Sequence, residues 1–308
     1  MKSVEHIDIP GKISVNELVS LMGKIGVMGC GRLAKSVDIL ENMIKDKDCK
    51  VFFGVAGAMV PGGMRNILVD FLRNKWVDVC VTTGAMLTHD LVEALGYRHE
   101  IGESNVDDEE LNKKGLDRMW DSYMPNEVYE GLEDFFEKHW DDFSKTKKIN
   151  ELIWAIGSKL EDKNSILRVI YENKIPVFCP ALSNSAIGLM IWGRKAKGKE
   201  IFIDAFEDLK DILDIAWTSK KSGVFYVCGG EPKNYIQQAM QFSPKNAMYG
   251  VQVTTDRAEF GGSSGAHLKE GVSWGKMNAK GEFVDVFLDA TVALPLICAA
   301  LKERLIKN

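Results

Sequence analysis

The chain has 308 residues, of which 45% are hydrophobic and 27% charged, a composition typical of a globular protein long enough to bury a dry core. Its net charge of −5 argues against a broad nucleic-acid surface. The N-terminus MKSVEHIDIP has no apolar signal-peptide segment, and no stretch approaches the ~18 apolar residues of a membrane span. We therefore expect a cytoplasmic protein that binds neither nucleic acid nor membrane.

The six cysteines are far apart, and several lie inside apolar runs such as VDVCVTT and VFYVCGG. This distribution indicates buried, reduced thiols of a cytosolic protein and not a disulfide framework. The sequence contains no CxxC or HExxH motif, so we predict no metal site.

Residues 14–48 are predicted to be helical, with a break near the glycines of MGKIGVMGCGR. Within this segment Gly29-Cys-Gly31-Arg-Leu-Ala34 matches the dinucleotide-binding pattern GxGxxA. No convincing strand precedes the match, and no acidic residue closes a following strand at the usual distance. We therefore interpret these glycines as a helix break and not as a phosphate cradle.

From residue 49 onward, short apolar runs rich in β-branched residues alternate with segments of helical periodicity. The predicted strands are 50–55, 77–83, 176–179, 224–228, 251–255 and 283–288. The predicted helices are 62–75, 88–96, 126–142, 164–173, 202–220, 231–240 and 291–306. This alternation predicts an α/β fold with a Rossmann-like parallel sheet and helices on both faces.

The remaining segments complete the predicted organisation. The charged stretch 98–123 is expected to form a surface insertion, and 143–148 a solvated turn. We expect one structural domain in which an N-terminal helical segment, 1–48, joins an α/β catalytic domain, 49–308.

Small, glycine-rich or hydroxyl-bearing residues follow every predicted strand. These segments are GVAGAMVPGG (54–63), TTGAML (82–87), CPALSNSAIG (179–188), CGGEPKN (228–234), TTDRAEFGGSSGAH (254–267) and LDATVALP (288–295). In open α/β sheets, ligands bind at the carboxyl ends of the strands, because backbone amides and helix N-termini converge there. Six such loops on one edge predict a nucleotide cofactor.

The stretch GVSWGKM (271–277) places Lys276 after Trp274 and Gly275, just beyond a glycine- and serine-rich run. An ordinary lysine, with a pKa near 10.4, is almost wholly protonated at pH 7. Desolvation beside an apolar ring favours the free amine that imine chemistry requires. The face of Trp274 also suits a substrate ammonium. The alternative is an exposed lysine that follows a core tryptophan.

Several polar residues stay open to two interpretations. Asp256, Glu259 and Glu270 are either solvated or in contact with substrate. His89 either caps a helix or contacts a ligand, and His267 is undecided. Asp289 is placed equally well to cap the last helix or to bind a ribose hydroxyl. No role is assigned to the other histidines, His6, His99 and His139.

Seven segments of the sequence resemble the deoxyhypusine synthase family, in family order and over roughly residues 49–306. They are FFGVAGAMVPGGMR, WVDVCVTTGAMLTHDLVEALG, IPVFCPALSNSAIG, CGGEPKNYI, EFGGSSGA, EGVSWGK and FLDATVALPLICA. The EGVSWGK block is highly specific, since the imine-forming lysine of the family stands in that setting.

The resemblance implies a chemistry. The family uses NAD to take a hydride from spermidine, and its lysine captures the resulting imine with release of diaminopropane. The aminobutyl group then passes to a lysine of the translation initiation factor 5A precursor, where the retained NADH reduces the new imine. Such a reaction needs an apolar cleft, because imines hydrolyse if water enters freely. The family is homotetrameric, with active sites at subunit interfaces.

The resemblance also implies roles for individual residues. Lys276 would be the catalytic lysine. NAD would be held by Gly57, Thr83, Gly84, Ala85, Asn184, Gly230, Thr254, Thr255, Ser263, Asp289 and Ala290. The polyamine would be bound by His89, Tyr235, Ser264, Glu270 and Trp274.

Several positions depart from the eukaryotic pattern of this family. Thr88 and His89 replace an acidic pair, as in archaeal relatives. Other replacements are Leu189 and Ser264 for aspartates, Tyr235 for a histidine and Ala58 for an asparagine. Because each buried ammonium requires a partner, these changes bear on the polyamine. Two alternatives stay open: an aminobutyltransferase of the homospermidine synthase type, and an inactive NAD-binding paralogue.

Overall fold

The structure, a computed structural model, describes residues 2–306 and divides into two compact units. Unit one comprises residues 1–56, 76–81 and 210–308, and unit two comprises 57–75 and 82–209. The predicted boundary between a segment 1–48 and a domain 49–308 stays a prediction.

The main sheet confirms the predicted α/β fold. Five of its six strands belong to unit one, in the order β2-β1-β7-β8-β9. The six strands are β1 (Cys49–Val55), β2 (Val79–Thr82), β6 (Val177–Phe178), β7 (Lys221–Val227), β8 (Ala247–Thr254) and β9 (Met277–Phe287). Strands β1, β7, β8 and β9 pair in parallel. Each of the six overlaps a predicted strand, although β7, β8 and β9 begin several residues earlier than predicted.

Nearly continuous apolar sequence explains why the central strands are buried. In β7 every residue after Lys221 is buried, and in β8 every residue after Tyr249 is buried. Phe53 of β1 stacks on Phe225 of β7, with ring centroids 5.1 Å apart. Such strands are covered by helices on both faces, as the sequence pattern predicts.

Twelve helices accompany the strands. They are α1 (Val15–Ile25), α2 (Met28–Lys45), α3 (Arg65–Arg73), α4 (Gly84–Ala94), α5 (Asp108–Lys113), α6 (Val128–Phe143), α7 (Ile149–Ser158), α8 (Ile166–Asn173), α9 (Ala186–Ala196), α10 (Ala205–Thr218), α11 (Glu231–Phe242) and α12 (Ala290–Leu305). The count covers residues 2–306. Among these helices, none is both long and apolar enough to cross a membrane.

The N-terminal helices confirm the predicted helix break. Ser14 and Glu17 form a capping box at the start of α1, and Gly26 ends that helix in the left-handed conformation, with φ 71°. Helix α2 then begins at Met28, so Gly29–Ala34 lies within a helix and follows no strand. The GxGxxA match is therefore not a strand-to-helix phosphate loop.

Several helices and strands of the structure were not predicted from the sequence. The charged stretch 98–123 contains α5, the strands β3 (Glu100–Ile101) and β4 (Leu116–Met119), and the first half of β5 (Ser122–Pro125). The three strands form an antiparallel sheet of their own. Helices α7 and α9, both in unit two, also went unpredicted. All six cysteines carry free thiols.

Candidate active site

The backbone around Lys276 is held in place by hydrogen bonds at the start of β9. Lys276 follows a 3₁₀ turn, Leu268–Val272, and its N–H donates to the Gly271 carbonyl over 2.8 Å. The Lys276 carbonyl accepts from the N–H of Ala247 over 3.1 Å. Between turn and strand, Gly275 adopts φ 69°, a left-handed conformation that suits glycine. The Lys276 side chain therefore projects from a backbone that is held in one conformation.

The Lys276 side chain lines a cavity of about 350 Å³ in unit one. Its Nζ lies 4.9 Å from the centroid of the Trp274 ring, within cation–π range. Lys276 is partly exposed and Trp274 is 57% exposed, so this tryptophan is not the core residue of the alternative interpretation. Glu270, an exposed residue, and Ser263 line the same cavity. The predicted reactive lysine thus has an open approach beside an aromatic face and a carboxylate.

A second lysine, Lys233, lines this cavity and is only 5% exposed. Its Nζ donates to the Ala266 carbonyl over 2.5 Å and lies 6.0 Å from the centroid of the Tyr226 ring. Burial lowers the pKa of Lys233 to about 8, against the opposing effect of the Asp285 and Glu270 carboxylates and with a smaller contribution from Lys276. The cavity therefore holds a buried amine that loses its proton near physiological pH.

Asp285 of β9 fixes the turn that precedes Lys276. Its Oδ1 accepts from the Leu268 N–H over 3.0 Å, and its Oδ2 lies 3.5 Å from His267 Nδ1. Burial raises the pKa of Asp285, although the Leu268 N–H and the nearby cations favour the carboxylate. His267, undecided from the sequence, lies at the cavity beside this carboxylate.

Two strand-end loops of unit one approach each other closely at predicted cofactor residues. The Ser263 hydroxyl donates to the Gly230 carbonyl over 2.9 Å. Gly230 has φ 72° and precedes α11, and a Cβ added at Gly229 would overlap the Cα of Ser264. The structure thus brings together Gly230, Ser263 and Ser264, and the open space around Gly230 leaves its backbone accessible to a ligand.

The other cofactor candidates of unit one lie at the ends of β8 and β9. Thr254 is buried, and its Oγ1 accepts from the Asp256 N–H over 3.1 Å, whereas Thr255 is exposed. Asp289 caps α12, since its Oδ1 accepts from the Thr291 N–H over 2.8 Å, and Ala290 is the first residue of that helix. The helix cap is therefore formed, and a ribose contact stays a prediction.

The remaining cofactor candidates belong to unit two. The Thr83 hydroxyl accepts from the Met86 N–H over 3.3 Å and caps α4, whose first residue is Gly84. A Cβ added at Gly84 would lie 2.6 Å from the Ser185 hydroxyl oxygen, so only glycine fits there. Exposed positions of the same unit complete this group: Gly57, Ala85 and Asn184.

His89 is the sixth residue of α4, so the alternative that it caps the helix is wrong, because Thr83 forms the cap. Its Nδ1 lies 3.0 Å from Nε2 of His99, whose Nδ1 lies 2.9 Å from a Glu93 oxygen. His99, to which the sequence assigned no role, is thus linked to a predicted substrate residue. The spacing of His89 and Glu93, four residues apart on one helix face, was the available signal.

The substrate candidates are only partly brought together. Glu270 and Trp274 line the Lys276 cavity, and Ser264 lies beside the loop that contains Gly229. Tyr235 lies on α11 but is not among the residues that line this cavity. Lys233 was missed; its signal is a cation at the third position of α11, where the helix dipole disfavours positive charge.

The chain matches the model of a protein family described as deoxyhypusine synthase over residues 17–301. A protein of Methanosarcina thermophila named "Probable deoxyhypusine synthase" is 41% identical over 306 residues, or 99% of this chain and 96% of that protein. One from Archaeoglobus fulgidus, named "Probable deoxyhypusine synthase 1", is 38% identical over 297 residues, or 96% of this chain and 97% of that protein.

A crystal structure from Entamoeba histolytica, provisionally named deoxyhypusine synthase, superimposes with a TM-score of 0.65. The alignment covers 99% of this chain and 98% of that one at 20% sequence identity. At this identity the likeness shows a shared fold.

Proposed function

The chain belongs to the deoxyhypusine synthase family of transferases, and from this premise we propose that it moves the aminobutyl group of spermidine to a protein lysine. The acceptor we propose is the translation initiation factor 5A precursor, and the cofactor is NAD. The observation that carries the proposal is the position of Lys276. Its side chain lies beside Trp274 in a cavity that the Glu270 carboxylate also lines.

Lys276 performs the covalent step of this proposal. Its free amine adds to the imine carbon of the oxidised polyamine, and the bond from that carbon to the departing amine breaks, which releases diaminopropane. The aminobutyl group is then bound to Lys276 through a carbon–nitrogen double bond. The acceptor lysine attacks the same carbon and regenerates the Lys276 amine.

Neighbouring residues bind and orient the amine substrate. The ring of Trp274 offers an apolar face on which an alkyl chain or an ammonium packs. Glu270 supplies a carboxylate for a substrate ammonium. Lys233, with its pKa lowered to about 8, is a second amine that takes up or gives back a proton in the physiological range.

NAD supplies, when bound, the hydride acceptor for the first half of the reaction and the hydride donor for the second. The residues present fit such a group. Gly230 follows β7 with φ 72°, and a Cβ there would meet no atom within 4 Å, so this strand-end loop offers open backbone for close contact with a cofactor. Gly230, Ser263 and Thr255 in unit one are the residues we propose as contacts, and the roles of Thr83 and Asn184 stay predictions.

We further propose a homotetramer in the cytoplasm. A protein lysine must reach Lys276, and its cavity opens to the surface of unit one, which suits a macromolecular acceptor. Exposed apolar side chains of unit one supply a surface for subunit contact, and they include Phe242, Phe260 and Val292.

The experiment supplies the full chain with NAD and spermidine labelled in the aminobutyl moiety, together with either the factor 5A precursor or putrescine. We expect label on the protein lysine and release of diaminopropane. Label on putrescine alone would instead establish the homospermidine type, and label on neither acceptor would refute the proposal.

Replacement of the nucleophile tests its role in the same assay. Lys276→Ala removes the amine that carries the aminobutyl group, so we expect transfer to fall about 1,000-fold or more. Lys280→Ala, at an exposed lysine of the same strand, is the matched control and is expected to transfer normally. Full transfer by Lys276→Ala would rule out a covalent role for this lysine.

A further inference from the structure

A chain of three titratable side chains ends at His89 in unit two. Glu93 and His89 lie on α4, and His99 follows that helix. A Glu93 oxygen lies 2.9 Å from His99 Nδ1, and His99 Nε2 lies 3.0 Å from His89 Nδ1. The His99 side chain is 4% exposed and Glu93 18%, whereas His89 is partly exposed. The chain thus runs from a half-buried carboxylate through a buried imidazole to a partly exposed one.

The Glu93 carboxylate fixes the direction of the first hydrogen bond, and a neutral His99 fixes that of the second. The pKa of Glu93 is lowered, because hydrogen bonding from His99 and the charges of Arg65 and Arg98 outweigh its burial. An ionised carboxylate only accepts, so His99 Nδ1 must donate and the Nε2 of a neutral His99 must accept. His89 Nδ1 therefore donates, which leaves His89 Nε2 without a proton.

Nothing among residues 2–306 occupies that Nε2 with a hydrogen bond. Burial and the neighbouring His99 ring lower the pKa of His89 to about 4, against a smaller opposing effect of Glu93. His89 is thus a neutral imidazole at physiological pH. Its helix starts directly after β2, at the carboxyl edge of the sheet where α/β proteins bind ligands.

We propose that Glu93, His99 and His89 form a proton relay in which His89 Nε2 takes a proton from a substrate ammonium. The inference rests on the proposed function, in which a polyamine nitrogen must be uncharged before hydride leaves the adjacent carbon. His89 acts on substrate, and His99 and Glu93 are positioning residues that act through it.

The protons balance along the relay. A proton leaves the substrate nitrogen and binds His89 Nε2, while the proton on His89 Nδ1 moves to His99 Nε2. His89 ends neutral, and the positive charge rests on His99 against the Glu93 carboxylate. The reverse movement returns the proton to a product amine. A lone imidazole at His89 would instead have to hold the charge itself in a partly buried position.

The surrounding charges hold the carboxylate end of the relay in place. Arg65 Nη1 lies 3.6 Å from Glu93 and 2.8 Å from Asp162, and its Nε donates to buried Asp90 over 2.7 Å. Arg98 donates to the Glu93 backbone carbonyl over 3.0 Å. Glu93 is therefore anchored independently of His99, as the end of a relay must be.

The first test measures the tautomers by nitrogen-15 NMR on the full-length wild-type protein at pH 7. The chain has five histidines, and His89→Gln and His99→Gln assign the two signals. We expect His89 protonated at Nδ1 only. Protonation of His89 at Nε2, or an imidazolium at His89, would overturn the proposal. This readout needs no turnover, so it decides the relay even if the proposed transferase activity fails.

The second test follows transfer from spermidine as a function of pH. Glu93→Gln preserves size but removes the charge that stabilises the His99 imidazolium, so we expect kcat at pH 7 to fall roughly 10- to 100-fold, with KM within about threefold. The deficit should shrink as pH rises toward 9.5, because substrate amines then lose their protons unaided. His89→Gln should show the same trend with a larger deficit.

A merely structural role gives a different result. A deficit of equal size at every pH, or a change confined to KM, would overturn the relay. His139→Gln is the matched control: this histidine packs on Phe135 and Phe143 of α6 and should show wild-type kinetics at every pH. Absence of transfer by the wild type would refute the proposed function and leave the tautomer measurement to decide the relay.

Discussion

Two lysines line one cavity, and their surroundings differ. Lys276 projects beside an exposed tryptophan, whereas Lys233 is 5% exposed and has its pKa lowered from 10.5 to about 8 by burial. At pH 7 the folded protein therefore holds an ammonium in a site that disfavours it, which costs up to about 3 kcal/mol. A buried charge that lowers stability and lines a cavity is typical of a functional residue.

Lys233→Met should raise the free energy of unfolding at pH 7 by about 1–3 kcal/mol, because the desolvated charge is removed. The Ala266 carbonyl would keep a donor, since Gln252 Nε2 also donates to it over 3.1 Å. Urea unfolding at pH 7 measures the change, with exposed Lys280→Met as control. A Lys233→Met protein less stable than wild type at pH 7 would contradict this account.

The same variant has a pH signature. In the unfolded chain lysine keeps its proton to about pH 10.4, whereas folded Lys233 loses it near pH 8. Between these values the unfolded state binds more protons, so the wild type gains stability as pH rises. The advantage of Lys233→Met should therefore shrink between pH 8 and 10, and unfolding curves at several pH values test this.

At the scale of elements, two strand-end loops of unit one pack closely because a glycine, which has no side chain, stands at their contact. Gly229 follows β7, and a Cβ there would overlap the Cα of Ser264 in the loop after β8. Backbone against backbone leaves no flexible group to yield, so one loop must move. Because Gly230 and Ser263 belong to the same contact, that movement displaces the predicted cofactor residues.

Gly229→Ala is expected to lower stability by about 1–3 kcal/mol and to weaken NAD binding at least tenfold. Gly262→Ala in the facing loop is the matched control: its Cβ would lie 3.8 Å from the Ser264 hydroxyl, an ordinary contact, and stability should change by less than about 0.5 kcal/mol. Thermal unfolding and NAD titration measure both. Equal effects of the two substitutions would contradict the close approach.

For the molecule as a whole, the sequence predicted all six strands of the parallel sheet and the glycine-rich segments that follow them. These features depend on local patterns: continuous apolar runs bounded by glycine-rich segments. The antiparallel sheet of 100–125 was missed, because its strands are only two to four residues long and their burial does not alternate cleanly: β3 is exposed, and β4 and most of β5 are half-buried. Helix α9 was missed since its sequence, AIGLMIWGRKA, has no clear polar face.

In the candidate site too, features of the local sequence were predicted and contacts between distant segments were missed. The position of Lys276 after Trp274 and Gly275 is a property of seven consecutive residues, so it could be recognised in the sequence. Lys233 and His99 were missed because their settings depend on contacts between distant segments: Lys233 bonds to Ala266, 33 residues away, and His99 lies against α4. Burial of a polar side chain has no local signature.

The central claim is that Lys276 carries the aminobutyl group, and reductive trapping tests it most directly. The full chain is incubated with spermidine, with and without NAD, treated with borohydride and digested for mass spectrometry. We predict an aminobutyl adduct on Lys276 that appears only when NAD and spermidine are both present. An adduct on Lys233 instead, or transfer that proceeds with no adduct on Lys276, would contradict the account.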